Sequence, residues 1–442
     1  MNMRAIYLCS TLIVLTASAS QINNGPPTTY YVSTAGSDWN SGTSTSPWKT
    51  IQQAANALKP GDTAIIAKGN YDERIRIKNS GRTDALITLK AEGAVATRGF
   101  NIQGSYVQVE GFEISNIGGT DLTNRSSNSG VFISGSNVIV SNAYIRDTNA
   151  EAIYIANTSS GDVLRSNRIV NAIDAGIYVQ GKDHLVISNE ISHTVQIHDH
   201  MTKSGDADGI RFFGSGSTFR KNYIHDITLR DAGNKNPHID AFQTWGPCED
   251  MIIEQNTILL DGTGQGITIE GMNQPTGNIT IRNNLFMTTG ADYSPAVNAG
   301  GVGLVTNINI VNNTMVALNG PTEYAIWLFQ NLRGAVIKNN AIYDHGNSKT
   351  PYVRIERGAS GLNIGSNAIS KSDGKAPAGS PYPGDLWMVN PQFVNFAGHD
   401  FHLKPASPLI NSGTALSNVT NDFDDVARPT GRAHDIGAFN KQ

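Results

Sequence analysis

Nine asparagines recur through the middle of this chain: Asn142, Asn167, Asn189, Asn222, Asn256, Asn284, Asn313, Asn340 and Asn367. The gaps between them are 25, 22, 33, 34, 28, 29, 27 and 27 residues. Eight stand two residues before an apolar side chain, as in Asn189-Glu190-Ile191, whereas the first opens Asn142-Ala143-Tyr144-Ile145. A period of this length marks a stacked repeat with one supersecondary unit per interval. Each interval holds three short alternating runs separated by tight turns. One unit runs Gly176-Ile177-Tyr178-Val179-Gln180, then His184-Leu185-Val186-Ile187, then Asn189-Glu190-Ile191. Alternation of period two predicts strands. Three strands per turn, with successive turns roughly 4.8 Å apart, predict an all-β fold, a parallel β-helix. The aligned asparagines then fall at one bend, where each amide can serve the next coil as a ladder.

The ends of such a stack are open strand edges that need covering. Pro47 to Leu58 has helical spacing of apolar residues and stops before Lys59-Pro60-Gly61, so a capping helix is expected there. Residues 20–389 are expected to form the β-helix with this cap, and residues 390–442 an irregular C-terminal capping segment. The first nineteen residues read as a secretory signal: Arg4, an apolar stretch from Ala5 to Ala17, and a small-x-small site at Ala17-Ser18-Ala19. Export is therefore expected. Cys248 is then the one cysteine of the mature chain, which leaves no disulfide framework. A formal charge of -4 gives no footprint for nucleic acid or an anionic membrane. A monomer is expected.

The outward positions of the first strand can be read coil by coil. They carry Phe132, Tyr154, Tyr178, Arg211, Gln243, Thr268, Asn298, Trp327 and Arg354. Two residues further on come Ser134, Ala156, Gln180, Phe213, Trp245, Glu270, Gly300, Phe329 and Glu356. Such a face suits an extended polysaccharide, with sugar rings on aromatics and hydroxyls on polar groups. Tyr178, Gln243, Trp245, Glu270 and Trp327 are its expected substrate-binding residues. The two widest gaps place long insertions at about 192–208 and 225–240, where five of the ten histidines lie. Asp208-Gly209-Ile210-Arg211 and Asp240-Ala241-Phe242-Gln243 are equivalent in successive coils, so their carboxylates should lie about 5 Å apart. Carboxylates that close call for a cation or a shared proton. Asp206, Asp208 and Asp240 together make an oxygen set suited to Ca²⁺.

Tyr30-Tyr31-Val32-Ser33 to Gly36-Ser37-Asp38, Pro47-Trp48-Lys49-Thr50-Ile51 and Gly61-Asp62-Thr63 resemble the opening of secreted right-handed β-helix proteins of the pectate-lyase-like superfamily. Asp400 to Gly413 and Arg428-Pro429 to Ala438 are similar to the tail that many of them carry. The resemblance spans nearly the whole mature chain and implies a right-handed parallel β-helix. It also implies a polysaccharide lyase acting by β-elimination on a uronic-acid polymer, with an Arg or Lys base beside acidic calcium ligands. On that likeness Arg211 or Lys235 is the candidate base, and His238, Asp208 and Asp240 complete the catalytic set. The nearest type is the family-nine pectate lyases. Their run of adjacent aspartates is missing here, and Gly266-Ile267-Thr268-Ile269-Glu270 offers an acid where their catalytic lysine would be sought. Two alternatives stand beside this reading: a glycoside hydrolase using Asp208, Asp240 and Glu270, and a non-catalytic carbohydrate-binding stack.

Overall fold

The computed structural model describes residues 26–115, 117, 124–195, 206–229, 237–260, 264–272, 274–289, 295–429 and 431–441. The expected signal segment, 1–19, and Lys235 lie outside them. The alternating runs form a parallel β-helix with three strands per coil. The first strands of the coils make one sheet of eleven, from Ile75–Ile77 through Asp208–Phe212, Asp240–Thr244 and Gln265–Glu270 to Val353–Ile355. The second and third strands join in one sheet of 26. A single residue turns the chain between them, for example Gln255 (φ 56°) between Ile252–Glu254 and Thr257–Leu260. That left-handed conformation is uncommon outside glycine, and here it recurs at Ser166, Ser188, Lys221, Asn283, Asn312, Asn339 and Ser366.

The ladder explains why this bend is tolerated. Asn256 Oδ1 accepts from the Asn222 backbone N–H at 2.9 Å and from Asn222 Nδ2 at 3.0 Å. Asn256 Nδ2 in turn donates to Phe219 O at 3.0 Å and Asn284 Oδ1 at 2.9 Å. The same pattern runs from Asn167 to Asn367, and Asp385 Oδ1 receives the last backbone N–H, that of Asn367, at 2.9 Å. Asn142 does not belong to it. This residue is exposed and takes the left-handed turn position itself (φ 54°), while the N–H of Ala143 donates to Asn167 Oδ1. Replacing Asn256 by Ala deletes four bonds and leaves the Asn222 N–H buried without a partner. The expected loss is about 1–3 kcal/mol for each buried group so stranded, read as a lower denaturant midpoint.

Inward residues alternate with the outward row. Ile177, Val179, Ile210, Phe212, Phe242, Ile267 and Ile269 are fully buried. Phe212, Phe219 and Phe242 meet edge to face or tilted at 5.3–6.4 Å beneath the middle coils, a stiff floor for anything built above. The N-terminal helix spans Ile51–Ala57 and packs Ile51, Ala54 and Ala55 inward. It starts later than its apolar spacing predicts, because Trp48 is held in extended backbone by Tyr31 and stacks on Tyr30 at 4.7 Å. Thr50 then caps it, and Glu73 accepts the N–H groups of Ile51 and Gln52.

The C-terminal segment differs from expectation. The last coil is closed by the stretch before residue 390: Leu386–Trp387 pairs with Ala368–Ser370, and Tyr382 and Trp387 pack on Tyr352. The tail beyond runs back along the flank. Phe393, Phe401, Leu403, Leu409, Ile436 and Ala438 form a second apolar cluster with Leu285, Met287, Val316, Ala341 and Ala368. Further back, Gln255 Nε2 donates to Asp422 O at 2.6 Å. The reason is local: the outer face of the third strands is apolar in these coils and needs a cover.

Candidate functional site

The outward row of the first sheet has the expected register. Phe132, Tyr154, Tyr178, Arg211, Gln243, Thr268, Asn298, Trp327 and Arg354 are paired coil to coil without a slip. Glu270 and Gly300 are likewise paired in the second row. Asp208 and Asp240, two residues before the paired Ile210 and Phe242, are vertical neighbours on one wall. They do not face solvent, however; both are fully buried.

The reason for their burial is Arg211, whose side chain is 5% exposed and folds back over the strand. Its Nε donates to Asp208 Oδ2 at 2.6 Å, its Nη1 to Asp174 Oδ2 at 2.8 Å and its Nη2 to the Asp174 carbonyl at 3.2 Å. Asp206 Oδ2 lies 3.2 Å from Nη2. Burial alone would lower the Arg211 pKa, but the carboxylates of Asp208, Asp174 and Asp206 outweigh it and hold the proton more tightly than usual. A guanidinium held this way does not serve as a base, so the role expected of Arg211 changes to that of a fixed counter-charge.

Two further oxygens are also committed. Asp208 Oδ1 accepts the Asp240 N–H at 3.0 Å, and Asp240 Oδ1 accepts from Thr268 Oγ1 at 2.6 Å. Asp240 Oδ2 lies 2.8 Å from His238 Nδ1. Among the described residues protein donors thus hold much of the set Asp206, Asp208 and Asp240, while Asp174 Oδ1 and, beyond its ion pair with His238, Asp240 Oδ2 are buried without a hydrogen bond. Among the described residues no group of three or more His, Cys, Asp or Glu is placed to hold a metal ion.

His238 is 42% exposed, with Nε2 2.7 Å from the Gln265 side-chain amide, which presents its oxygen when the ring carries both protons. The hydrogen bond to Asp240 raises its pKa to about 9, against the opposing pull of burial and with help from the charges of Asp240, Asp208 and Asp206. Burial raises the Asp206 carboxyl, and Arg211 offsets part of that. Glu270 stands apart. Half-buried at its outward position, its carboxyl is raised by burial, opposed by His238 and reinforced by Asp240 and Asp206, with no hydrogen bond contributing. Among the described residues it has neither a hydrogen-bond nor an ion-pair partner.

Asp174, Glu151, Arg125 and Gln265 belong to the same network and were missed in the sequence. Arg125 Nε donates to the buried Glu151 at 2.7 Å, and its Nη2 is 3.8 Å from Asp174 Oδ2, so Asp174 links two arginines. A signal existed. Glu151, Asp208, Asp240 and Gln265 each stand two residues before the core residues Ile153, Ile210, Phe242 and Ile267, a polar column at the start of the first strand that Ala175 interrupts.

The aromatic row also differs from expectation. Phe132, Tyr154, Tyr178 and Phe213 stack on one another at 4.8–5.7 Å with interplanar angles of 6–28°. Their faces are spent on each other, so they offer a ligand edges and the Tyr hydroxyls rather than open faces. Trp245 ends the run edge-on to Phe213, 72° between planes, with Arg211 over its ring at 5.7 Å. Trp327 stacks on Phe329 at 4.0 Å, lies under Arg354 at 4.4 Å, and donates Nε1–H to Glu356 at 3.1 Å. Gln243 is buried beside His238, with Nε2 3.3 Å from Nδ1.

Comparison with known proteins agrees with this architecture. Residues 30–226 match the family described as "Pel9A-like, right handed beta helix region", and residues 160–376 match "Right handed beta helix region". Pectate lyase Pel9A is similar in structure at 18% identity and a TM-score of 0.54, over 95% of this chain and 98% of that one. XylC, solved in complex with xylose, is similar at 12% identity and a TM-score of 0.58, over 94% and 99%. At such identities the likeness is one of fold. A stretch of 140 residues is 28% identical to the uncharacterized protein YwoF of Bacillus subtilis (strain 168), covering 31% of this chain and 28% of that protein. The match therefore spans little more than a quarter of that relative's length.

Proposed function

We propose that this chain, a right-handed parallel β-helix whose residues 30–226 match a Pel9A-like region, is an exported carbohydrate-active enzyme that cleaves an extended polysaccharide lying along the first-sheet face. The observation that carries the reading is the half-buried Glu270 carboxyl, which has no hydrogen-bond or ion-pair partner among the described residues, a pKa raised by burial, and His238 close enough for its charge to be felt. A carboxyl freed of structural duty and tuned toward neutrality is suited to move a proton.

β-Elimination at a uronic-acid unit is the first assignment. Glu270, made more basic by burial, takes the proton from C5, next to the sugar's carboxyl group. The C5–H electron pair becomes the C4=C5 double bond, the C4–O bond breaks, and the departing oxygen takes a proton from water or from the Asp206 carboxyl. The His238 imidazolium is the positive charge that meets the developing negative charge. Hydrolysis is the second reading, favoured by two partly exposed carboxyls, Asp206 and Glu270. Incubation with uronate polymers and with neutral glycans separates the two. Elimination gives ultraviolet-absorbing unsaturated ends, undiminished by a calcium chelator, whereas hydrolysis gives reducing ends without that absorbance. No new chain ends from either class of polymer would leave a binding protein.

A pH dependence follows. His238 has a folded-state pKa raised from 6.5 to about 9. The stability from its ion pair with Asp240 is full below pH 6.5 and is lost as the pH rises through about 9. Thermal unfolding of the protein should show a decline across that window that His238→Gln removes. Turnover should fall through the same limb.

A further inference from the structure

Resting on the reading just given, we propose that Asn298 selects the sugar unit that is cut: its side-chain amide binds the adjacent hydroxyls at C2 and C3 of the uronate whose C5 lies at Glu270. Asn298 stands in the outward row one coil beyond Glu270, in the strand Val297–Gly300, paired with Thr268 on one side and Trp327 on the other. The residue is 2% exposed, and its Oδ1 is buried with no hydrogen bond. Among the described residues neither end of the amide is engaged. Turning the amide over would only exchange which end is stranded. A buried amide without a partner weakens the coil that holds it, and such a break of the packing rules is what a functional position carries. The neighbours in the row are committed elsewhere: Thr268 Oγ1 donates to Asp240 Oδ1, and Trp327 Nε1 to Glu356. Asn298 and Glu270 are therefore two outward polar side chains on adjoining coils, neither tied by a hydrogen bond or ion pair among the described residues.

Space adjoins them. Between Glu270 and Phe329 the second row carries only Gly300, where a Cβ would stand 2.6 Å from that of Phe329. Glu270 and Phe329 are two coils apart, roughly 10 Å, room for one pyranose ring. An amide presents a donor and an acceptor side by side. Two hydroxyls on adjacent ring carbons answer it, one accepting and one donating. The elimination written above breaks the C4–O bond, so the reacting uronate is linked through C1 and C4 and keeps its hydroxyls at C2 and C3. Part of that pair lies across the ring from C5. With C5 at Glu270, the pair is carried toward the next coil, where Asn298 stands, and an amide that nothing holds in place can turn to meet it. A unit linked through C3 has no adjacent pair left, and one acetylated at C2 and C3 has lost both donors. The site therefore takes 4-linked uronans with these two hydroxyls free.

The test compares the purified full chain with Asn298→Leu and Asn298→Ala. The probes are polygalacturonate and polymannuronate, each as the free polymer and after O-acetylation at C2 and C3. Leucine keeps the shape of asparagine without its polar ends, so the thermal midpoint of Asn298→Leu should stay level or rise. On the better free polymer kcat/KM should fall roughly tenfold in both variants, the scale of two lost hydrogen bonds. The preference of the parent for free over acetylated polymer should move toward one. Parent-like kcat/KM and preference in a folded variant overturn the assignment and leave the cleavage reading standing. A lower midpoint in both variants shows the amide bonded within the fold and also overturns it. If no polymer is cut, retention in gels containing each polymer decides. Stronger retention of the parent by a free polymer, lost in the variants, keeps the Asn298 assignment while the cleavage reading falls. Equal retention of parent and variants, or retention by none of the gels, overturns it.

Discussion

Replacing Glu270 by Gln is expected to lower kcat by roughly 10²–10⁴-fold, the usual worth of a positioned acid–base group, while the thermal midpoint stays close to that of the parent protein. The two halves of the expectation have separate causes. The Glu270 carboxyl makes no hydrogen bond or ion pair among the described residues, so an isosteric amide removes no structural contact. The amide can neither take nor release a proton, and the charge that His238 feels disappears. Steady-state kinetics on the polymer and a melting curve settle the matter together. A small loss of kcat with an unchanged midpoint would remove Glu270 from the chemistry. A large loss of stability would show that its freedom had been misjudged.

Arg211→Ala should instead act on the fold, by about 3–5 kcal/mol, the scale for breaking a buried ion pair from one side. Asp208 and Asp174 are 0% and 2% exposed; Asp208 loses its guanidinium partner and Asp174 keeps only the longer contact with Arg125. The loss should shrink as the pH falls, because carboxylates deprived of their cation escape the penalty by taking up protons. Arg211→Lys should recover little, since one ammonium cannot reproduce donors to Asp208, Asp174 and Asp206 at once. Adding Asp208→Asn to the alanine variant should restore part of the stability, a coupling that unfolding at several pH values would measure. Equal stability of the variant and the parent at neutral pH would contradict the buried network.

The architecture was legible in the sequence to an unusual degree because every coil repeats the same physical problem. Each bend must place a residue in the left-handed region and then hide an amide; the residue before the asparagine does the first and Asn-x-apolar the second. Even the one exception was written there: in Asn142-Ala143-Tyr144-Ile145 the apolar residue stands three places on, and Ala143 takes the ladder position. Strand parity likewise located the outward row and the stacking of Asp208 on Asp240. What parity cannot show is where a long side chain goes. Arg211 projects from the strand and then turns back to Asp208, three residues earlier, which places an internal ion network among the residues expected to bind calcium. Nor does it show which way aromatic rings face, so a row legible as a sugar platform is in large part a stack closed on itself. The tail was misplaced for a different reason. Leu285, Met287 and Val316 advertise an apolar outer strip, but a strip of coil residues does not say which distant segment will cover it.

That covering has a consequence for how the molecule is made. The strip lies on coils that leave the ribosome well before Phe401, Ile436 and Ala438 do, yet it can be shielded only by them. The central coils therefore spend an interval with a sticky side bare, and maturation finishes with the last residues laid back over earlier ones. A chain ended prematurely near residue 390 would retain every coil and still be prone to clump.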